Sequence, residues 1–454
     1  MIMNKTDCYK LGHVFQYPEN TQVIYSNFTP RSDKLFAHKS IFWDRRVVVF
    51  GIQALIARMV KEFNETFFSV EKEKACRTYA RRVKSLLGPA AGADISHVEA
   101  LHDLGYLPIM IKALPEGTRV PVGVPVLTIY NTVREMFWLV NYLETYMSCE
   151  LWKPMTCATI AYEYRRTLDH YAAKTGVSPL FVQWQGHDFG YRGMSNSADA
   201  AACGAGHLLS FTGTDTVPAL DFLEEYYFAD SDKELIGGSV PATEHSVMCA
   251  GGSAPEEELE TFRRLLEDLY PSGIVSIVSD TWDYWDVITN KAAILKDKIE
   301  ARGYDTYGNS KVVFRPDSSD PVRIICGYRD DELTWNEDNE IVSIETGQVL
   351  TDAEIKGSVR CLFEIFGGSI NEKGYVDLSP RVGLIYGDSI TLARCEEICS
   401  RLEQAGFSTS CIVFGIGSFT YQYNTRDSLG FAMKATYAMI DDTPKAMLKD
   451  PRLS

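Results

Sequence analysis

From about residue 180 onward, the chain repeats one pattern: a short apolar run ends in small or polar residues, and a helical pattern follows. Clear examples are FVQWQGHDFGYRG (181–193), GIVSIVSD (273–280) and RVGLIYGDS (381–389). Alternating strand and helix signals predict right-handed βαβ units around a parallel sheet. Because polar residues follow many of these predicted strands, a barrel is favoured, in which all the carboxyl ends meet at one mouth. We therefore expect an α/β fold with an irregular TIM-like α/β barrel over residues 180–420.

The first part of the chain has a different pattern. The stretches VIYSNFTPRSDK and IMIKALPEGTRVPVGVPVLTIYNT alternate apolar residues with turn signals, which predicts antiparallel strands, with helices near 47–66 and 70–87. We expect a β-rich, sandwich-like domain over residues 1–179, on which the C-terminal segment 421–454 packs. The acidic stretch 328–347 interrupts the barrel pattern and predicts a solvated excursion or hairpin.

Composition excludes several classes of protein. Of the 454 residues, 45% are hydrophobic and 23% are charged, which is typical of a globular protein rather than a disordered or fibrous one. The net charge of −16 argues against a nucleic-acid partner, although local arginines and lysines could still bind small phosphates. Eleven cysteines without a CxxC pair indicate free thiols in a reducing compartment. With neither an apolar leader nor an apolar run of membrane-spanning length, we expect a cytoplasmic protein without membrane association.

Two residues at the predicted strand ends have competing interpretations. His245, in GGSVPATEHSVM (237–248), could be a packed imidazole or a reactive one, because imidazole exchanges protons and attacks electrophiles near neutral pH. Asp215, in GTDTV (213–217), could cap the helix that follows or bind a ligand. Neither residue type decides the matter alone.

Motifs along nearly the whole chain resemble those of the nicotinamide phosphoribosyltransferase family, and they occur in the family's order. The matching stretches are TDCYK (6–10), QYPENT (16–21), GHDFGYRG (186–193), GTDTV (213–217), SVPATEHS (239–246), VSD (278–280), RPDS (315–318), YGDSI (386–390) and TRD (425–427). The resemblance implies a type II phosphoribosyltransferase fold, an irregular α/β barrel with a β-sandwich. It also implies transfer of a phosphoribosyl group from phosphoribosyl pyrophosphate to nicotinamide by a homodimer with shared active sites.

The same resemblance assigns the base pocket. The pyridine ring would stack between Phe189 and the partner subunit's Tyr9. Asp215 would select the amide, because a carboxylate accepts a hydrogen bond from an NH2 group and repels the carboxylate of nicotinic acid. Arg315 would hold the amide oxygen with Ser239 nearby, and Arg192 would line the pocket.

The resemblance also implies how phosphates and ATP are handled. His245 would be phosphorylated by ATP, with Asp280 as its orienting carboxylate, and Asp280 and Asp317 would bind ribose hydroxyls or Mg²⁺. Glycine turns after strands can present backbone N–H groups to phosphate, and basic side chains can bind the pyrophosphate. The residues of the turns are Gly387, Asp388, Gly417 and Ser418. The basic side chains are those of Arg31, Arg426, Lys434 and Lys449.

Three other functions stay open at this point. One is a nicotinate phosphoribosyltransferase, which shares fold and chemistry and which Asp215 disfavours. Another is a ligand-binding protein without turnover. The third is a barrel metallohydrolase that uses five strand-end residues, although no HxH or HExxH spacing is present. Those five residues are His187, Asp188, His245, Asp280 and Asp317.

The sequence departs from the family pattern in two places. The stretch GIGSFTYQ (415–422) contains less glycine than the family's phosphate loop, and this difference concerns the backbone cradle for phosphate. Family members continue past the position of KDP (449–451) into a basic loop and further strands, which would supply another phosphate-binding lysine.

Overall fold

A computed structural model describes residues 1–448, and these form a mixed α/β protein. Its strands are β1 (Thr21–Pro30), β2 (Arg46–Val48), β3 (Ile109–Ala113), β4 (Arg119–Pro121), β5 (Leu127–Asn131), β6 (Gly186–Asp188), β7 (Gly213–Thr214), β8 (Gly273–Val278), β9 (Ser310–Arg315), β10 (Leu333–Trp335), β11 (Ile341–Ser343), β12 (Gly368–Ile370), β13 (Val376–Leu378), β14 (Val382–Tyr386), β15 (Ile412–Ile416), β16 (Phe431–Ile440) and β17 (Thr443–Ala446).

The α-helices are α1 (His13–Gln16), α2 (Ile52–Phe63), α3 (Lys72–Leu87), α4 (Ser96–Leu104), α5 (Leu139–Tyr142), α6 (Glu144–Thr175), α7 (Pro179–Gln185), α8 (Ser197–His207), α9 (Pro218–Tyr227), α10 (His245–Gly251), α11 (Glu258–Arg263), α12 (Tyr284–Asp286), α13 (Ala292–Ile294), α14 (Lys296–Ala301), α15 (Pro321–Cys326), α16 (Asp352–Phe366), α17 (Leu392–Gln404) and α18 (Ser418–Tyr421). Short 3₁₀ turns cover Ile2–Asn4, Cys8–Gly12, Arg134–Met136, Tyr191–Gly193, Asp330–Glu332 and Thr409–Cys411, and π turns cover Asn64–Phe68, Arg264–Leu269 and Val287–Lys291.

An antiparallel sheet joins the two ends of the described chain. Its strand order is β17-β16-β1-β5-β3, and the rings of Phe28 on β1 and Phe431 on β16 stack with centroids 5.3 Å apart. Helices α5 and α6 pack on this sheet. The sandwich-like arrangement expected for the N-terminal part is therefore not confirmed, although the antiparallel strands are. The proposed boundaries at residues 179 and 420 stay predictions.

The helix expected over 47–66 begins later than its pattern indicated. Helix α2 starts at Ile52, and the residues Arg46–Val48 instead form β2, which pairs with β4. Consecutive β-branched valines favour an extended backbone, and a pairing partner about seventy residues away is invisible to local periodicity. The helix expected over 70–87 is confirmed as α3, Lys72–Leu87.

A six-stranded parallel sheet carries the strand ends identified from the sequence. Its order is β7-β6-β15-β14-β9-β8. Strand β14 is buried at every position, as expected for a parallel strand covered on both faces. The α/β class and the parallel sheet are confirmed, but a TIM-like barrel is not, because this sheet has six strands rather than eight.

The segment 237–243 lies between the two edge strands of this curled sheet. On one side the Thr214 amide donates to the carbonyl oxygen of Gly238 at 2.9 Å, and on the other the Thr243 amide donates to the carbonyl oxygen of Ser276 at 3.0 Å. Single parallel bridges accompany both contacts. One irregular segment therefore connects β7 to β8 where a barrel would have further strands.

The acidic insertion contains a hairpin, β10 with β11, as one of the two expected alternatives. Glu332, just before β10, receives both Arg401 Nη atoms at 2.7 and 3.0 Å, the Arg329 amide at 2.8 Å, and an ion pair from Arg323. These contacts attach the hairpin to α15 and α17. Across residues 1–448, every helix is too short or too polar to cross a bilayer.

Candidate active site

A cavity of about 540 Å³ lies at the carboxyl ends of the parallel strands. Its walls come from the turns after β6, β7, β9, β14 and β15, so strands distant in sequence contribute to one site. Nine of the residues singled out from the sequence line it: Phe189, Arg192, Asp215, Arg315, Asp317, Gly387, Asp388, Gly417 and Ser418. The sequence did not single out four other lining residues, Tyr191, Thr216, Ser389 and Phe419.

Asp215 is held from behind by two hydrogen-bond donors. His187 Nε2 lies 2.9 Å from Asp215 Oδ1, and Ser239 Oγ donates to the same oxygen at 2.6 Å. Ser239 Oγ also lies 3.4 Å from His187 Nε2, so the three side chains form a closed triangle. Among the residues that the structure describes, every side-chain hydrogen bond to Asp215 goes to Oδ1, which leaves Oδ2 available to a ligand in the cavity.

The charge state of Asp215 follows from this environment. Burial alone would raise the pKa of Asp215, but the hydrogen bond and charge of His187, the Ser239 hydroxyl and the nearby Arg315 guanidinium together lower it below its usual value. The carboxylate is therefore ionised at neutral pH. It accepts hydrogen bonds at the cavity wall and repels anions there.

Phe189 forms an aromatic wall of the cavity. The Arg315 guanidinium carbon lies 5.0 Å from the centre of the Phe189 ring, in a cation–π arrangement. A β-carbon added at Gly387 would come within 2.8 Å of the Phe189 ring, and one at Gly415 would come closer still. The two glycines therefore leave the space that the ring occupies.

Arg315 has hydrogen-bonding capacity that the protein does not use. Its Nε is buried and has no hydrogen-bond partner within residues 1–448, and its Nη2 lies 3.6 Å from Asp317 Oδ1. Because Arg315 lines the cavity, its guanidinium can offer other N–H donors to an acceptor on a ligand.

His245 forms a second histidine–carboxylate pair at the same edge of the sheet. Its Nε2 lies 3.1 Å from Asp280 Oδ1, and Asp280 Oδ2 accepts from the Asp317 amide at 2.9 Å. Asp280 thereby links the His245 segment to the cavity residue Asp317. The pairing of His245 with Asp280 is the one expected from the resemblance.

The basic residues singled out from the sequence lie apart from the cavity lining. Arg31 Nε donates to the Gly430 carbonyl at 3.3 Å, Arg426 is near Asp427, and Lys434 lies on β16 opposite Asn27. Lys449 lies outside the described residues. Tyr9 is 60% exposed and does not line this cavity either.

Lys153 is a buried lysine that the sequence did not single out. From α6 its Nζ contacts Asp199 on α8 and Gln422 just after α18, and it lies 3.3 Å from Ser195 Oγ. These contacts tie together the two loops that carry Arg192 and Ser418. Nothing in the local sequence could reveal them, because the partners are 42 to 269 residues away.

A protein-only metal cage is not present in the described part of the chain. No group of three or more histidine, cysteine, aspartate or glutamate side chains there is arranged to hold a metal ion. Of the five residues of the metallohydrolase interpretation, His187 pairs with Asp215, and His245 pairs with Asp280. Asp317 lines the cavity, and Asp188 is buried, with its Oδ1 accepting from the Gly190 amide at 2.8 Å.

Sequence comparisons agree with this geometry. The profile of the nicotinate phosphoribosyltransferase (NAPRTase) family matches residues 184–454, and that of the nicotinamide phosphoribosyltransferase N-terminal domain matches residues 1–87. The chain is 52% identical to a nicotinamide phosphoribosyltransferase of Acinetobacter baylyi over 99% of its own length and 84% of the relative's. It is 32% identical to one of Mycoplasma pneumoniae, covering 98% of this chain and 91% of that one.

Solved structures support the fold. A nicotinate-nucleotide pyrophosphorylase from Pyrococcus furiosus matches with a TM-score of 0.53 at 14% identity, covering 98% of this chain and 77% of the other. Human nicotinic acid phosphoribosyltransferase matches with a TM-score of 0.52 at 17% identity, covering 95% and 74%. The chain thus belongs to the nicotinamide phosphoribosyltransferase branch of the nicotinate phosphoribosyltransferase family, and it is a phosphoribosyltransferase.

Proposed function

We propose that this enzyme transfers the phosphoribosyl group of phosphoribosyl pyrophosphate to nicotinamide, giving nicotinamide mononucleotide and pyrophosphate in NAD salvage. ATP hydrolysis is coupled to this transfer through a phosphohistidine at His245. The names of the relatives in Acinetobacter and Mycoplasma support the nicotinamide substrate. The main structural support is one observation, the Asp215 carboxylate in the cavity wall, with a lowered pKa and with its side-chain hydrogen bonds from the described residues on Oδ1 alone.

Asp215 suits the amide rather than the acid. Its Oδ2 can accept a hydrogen bond from the carboxamide NH2, whereas the carboxylate of nicotinate would meet a like charge in a partly buried site. The Arg315 guanidinium lies in the cavity wall and can donate an N–H to the carboxamide oxygen. The Phe189 ring offers a stacking face, worth about 0.5 to 1.5 kcal/mol beyond area burial.

The transfer step needs little covalent help from the protein. The pyridine nitrogen is a poor nucleophile, so the anomeric carbon must develop oxocarbenium character as the bond to pyrophosphate breaks. Positioning and electrostatic stabilisation therefore supply most of the rate. Asp317 and Asp388 line the same cavity and are our candidates for binding ribose hydroxyls, and the backbone at Gly387 and Gly417 for binding phosphate.

The role of ATP rests on the His245 pair. Because Nε2 is engaged by Asp280, Nδ1 is the nitrogen available to attack the γ-phosphorus. The new N–P bond forms as the bond from that phosphorus to the bridging oxygen of ADP breaks. Asp280 stabilises the cationic imidazole that results and fixes its tautomer.

Mg²⁺ is part of the proposal as a companion of the pyrophosphate. Mg²⁺ usually binds through one or two carboxylates together with substrate phosphates and water, and it neutralises charge on the leaving group. Asp317 and Asp388 fit this requirement because both face the cavity. Asp280 is less free, since its two oxygens already accept from His245 and from the Asp317 amide.

The proposal also includes a homodimer and a cytoplasmic location. The exposure of Tyr9 is compatible with a ring that completes the site of another copy, as the resemblance implies. By the same reasoning, Arg31, Arg426 and Lys434 would bind the phosphates of the substrates in the dimer. The eleven cysteines are all free, which suits a reducing compartment.

One assay tests substrate, reaction and coupling together. The purified protein is mixed with phosphoribosyl pyrophosphate, Mg²⁺ and either nicotinamide or nicotinate, with and without ATP, and the mononucleotide is identified by mass. We expect nicotinamide mononucleotide, formed faster with ATP. Preferential formation of nicotinate mononucleotide would overturn the proposal in favour of a nicotinate phosphoribosyltransferase.

The His245→Ala variant tests the coupling separately. It should form nicotinamide mononucleotide only at the ATP-independent rate, because no phosphohistidine can form. An ATP response equal to that of the unchanged protein would refute the role of His245.

A further inference from the structure

His187 lies directly behind Asp215, away from the cavity. Its side chain is 9% exposed and does not line the cavity, whereas the Asp215 side chain is 44% exposed. This position suits an action on a ligand through Asp215 rather than by direct contact.

The direction of the hydrogen bond between them follows from their chemistry. An ionised carboxylate only accepts hydrogen bonds, so the proton in the 2.9 Å contact belongs to His187 Nε2. Ser239 Oγ donates to the same Oδ1. Two donors on one oxygen orient the carboxylate, so that Oδ2 is the atom presented to a ligand.

The neighbouring residues fix where the imidazole sits. Its ring packs against Phe189 with centroids 5.0 Å apart and planes at 59°. A β-carbon at Gly213 would lie 2.6 Å from His187 Nδ1, so the glycine in GTDTV makes room for the ring. His187 therefore has a defined position between the stacking wall and the carboxylate.

We propose that His187 is a positioning residue that determines the choice between the two vitamers, nicotinamide and nicotinate. It does so by holding Asp215 as an ionised, outward-facing acceptor that binds the amide of nicotinamide and repels the carboxylate of nicotinate. This inference rests on the proposed function, since it concerns the choice of pyridine substrate at the same site. It assigns the selection to the pair rather than to Asp215 alone.

Loss of the histidine donor has opposite consequences for the two vitamers. Without it, burial raises the pKa of Asp215 with less opposition, and the side chain is freer to turn. A protonated or turned Asp215 accepts the carboxamide NH2 less well. A protonated Asp215 can also donate to the carboxylate of nicotinate, so the penalty against the acid becomes smaller.

The test compares two substitutions of His187 in the full-length protein with Mg²⁺ and ATP present. His187→Met removes the donor but keeps an apolar side chain of similar reach, whereas His187→Gln keeps an N–H near the position of Nε2. The measurement is the ratio of kcat/KM for nicotinamide to kcat/KM for nicotinate. We expect this ratio to fall about tenfold or more in His187→Met, as for loss of a hydrogen bond to a charged group, and to be largely restored in His187→Gln.

The ratio separates positioning from general damage, because a merely structural role would lower both vitamers' kcat/KM values together. The control variant is His102→Gln, at a site distant from the cavity where the His102 ring contacts the Val70 carbonyl at 2.8 Å. Its kcat/KM values for nicotinamide and for nicotinate should both remain unchanged. An unchanged ratio in His187→Met would overturn the inference while leaving the proposed function intact. The proposed function fails instead if the unsubstituted enzyme itself prefers nicotinate.

Discussion

Two histidine–carboxylate pairs lie at the same edge of the parallel sheet, and their exposure is reversed. In the first, His187 is 9% exposed and Asp215 is 44% exposed. In the second, His245 is 47% exposed and Asp280 is 6% exposed. Both pairs join through Nε2, at 2.9 and 3.1 Å, so the hydrogen bond alone does not distinguish them.

The difference indicates which partner meets a ligand. A buried histidine behind an exposed carboxylate makes an oriented anion, which suits recognition of a neutral amide. A buried carboxylate behind an exposed histidine makes an oriented nucleophile, which suits phosphoryl transfer. The segment 237–243 connects the two, since it carries Ser239 beside Asp215 and leads into His245.

The comparison predicts its largest effect at the exposed carboxylate. Asp215→Asn keeps the shape of the side chain but removes the charge that accepts the amide. We expect kcat/KM for nicotinamide to fall about 100-fold, because the carboxamide NH2 loses the charged acceptor that binds it. Nicotinate should lose much less or gain, and steady-state kinetics with both vitamers measure this. Equal losses for the two would mean that Asp215 does not select between them.

Glu332 has a lowered pKa, as Asp215 does, and it sharpens the comparison because both of its oxygens accept hydrogen bonds from the protein and it does not line the cavity. Burial alone would raise the pKa of Glu332, but bonds from Arg401, the Arg329 amide and Arg323 lower it to about 2. Glu332→Gln should lower the free energy of unfolding at pH 7 by about 3 kcal/mol, since a partly buried ion pair loses its anion.

The pH dependence of this effect has a defined sign. Because the folded pKa of Glu332 is lowered, its stabilisation is present above the ordinary value of 4.5 and is lost as pH falls toward about 2. Denaturant unfolding at pH 7, 5 and 3.5 should show the difference between the two proteins shrinking at the lowest pH. The ratio of kcat/KM for nicotinamide to kcat/KM for nicotinate should not change. A changed ratio would contradict the distinction between a carboxylate bonded only within the protein, such as Glu332, and one that lines the cavity, such as Asp215.

The buried carboxylate of the second pair should affect ATP rather than vitamer choice. Asp280→Asn retains a polar side chain but loses the charge that stabilises a cationic imidazole. We expect phosphorylation of His245 by ATP to slow about tenfold, as for a positioned general-base partner. Intact-protein mass spectrometry after rapid mixing with ATP follows the phosphohistidine. Phosphorylation at the unchanged rate would show that Asp280 does not orient the ring.

The smallest effect is expected at the second donor to Asp215. Ser239→Ala removes one of two hydrogen bonds to Oδ1, while His187 still holds the carboxylate. The vitamer ratio should fall about threefold, in keeping with a modest net hydrogen bond near the surface. A loss larger than that of His187→Met would reverse the ranking of the two donors.

The strand ends could be identified from the sequence because they depend on local pattern. Phe189, Asp215, Arg315 and Gly387 each follow an apolar run, and they line one cavity as the strand-end pattern indicated. Carboxyl ends of parallel strands meet whatever the order of the strands, so their convergence needs no knowledge of pairing. The roles assigned to these residues stay predictions.

Which side chains contact each other was harder to predict from the sequence. The local sequence indicates His187 only as a possible metal ligand, because a histidine in GHDFGYRG gives no sign that β6 lies beside β7 or that His187 contacts Asp215. The local sequence gives no sign of a role for Lys153, because its partners Asp199 on α8 and Gln422 after α18 are distant in the chain. Local periodicity predicts a helix over the β2 valines for the same reason, because their pairing with β4 is long-range.

By itself, the sequence determined the α/β class, the apolar strands and the residue types at their ends, since these follow from periodicity and turn chemistry along the chain. Tertiary structure alone decided that the parallel sheet has six strands, with the segment 237–243 between its edges. It also decided which member of each histidine–carboxylate pair is exposed. Burial and partner choice depend on packing between segments far apart in sequence, and no local pattern encodes that packing.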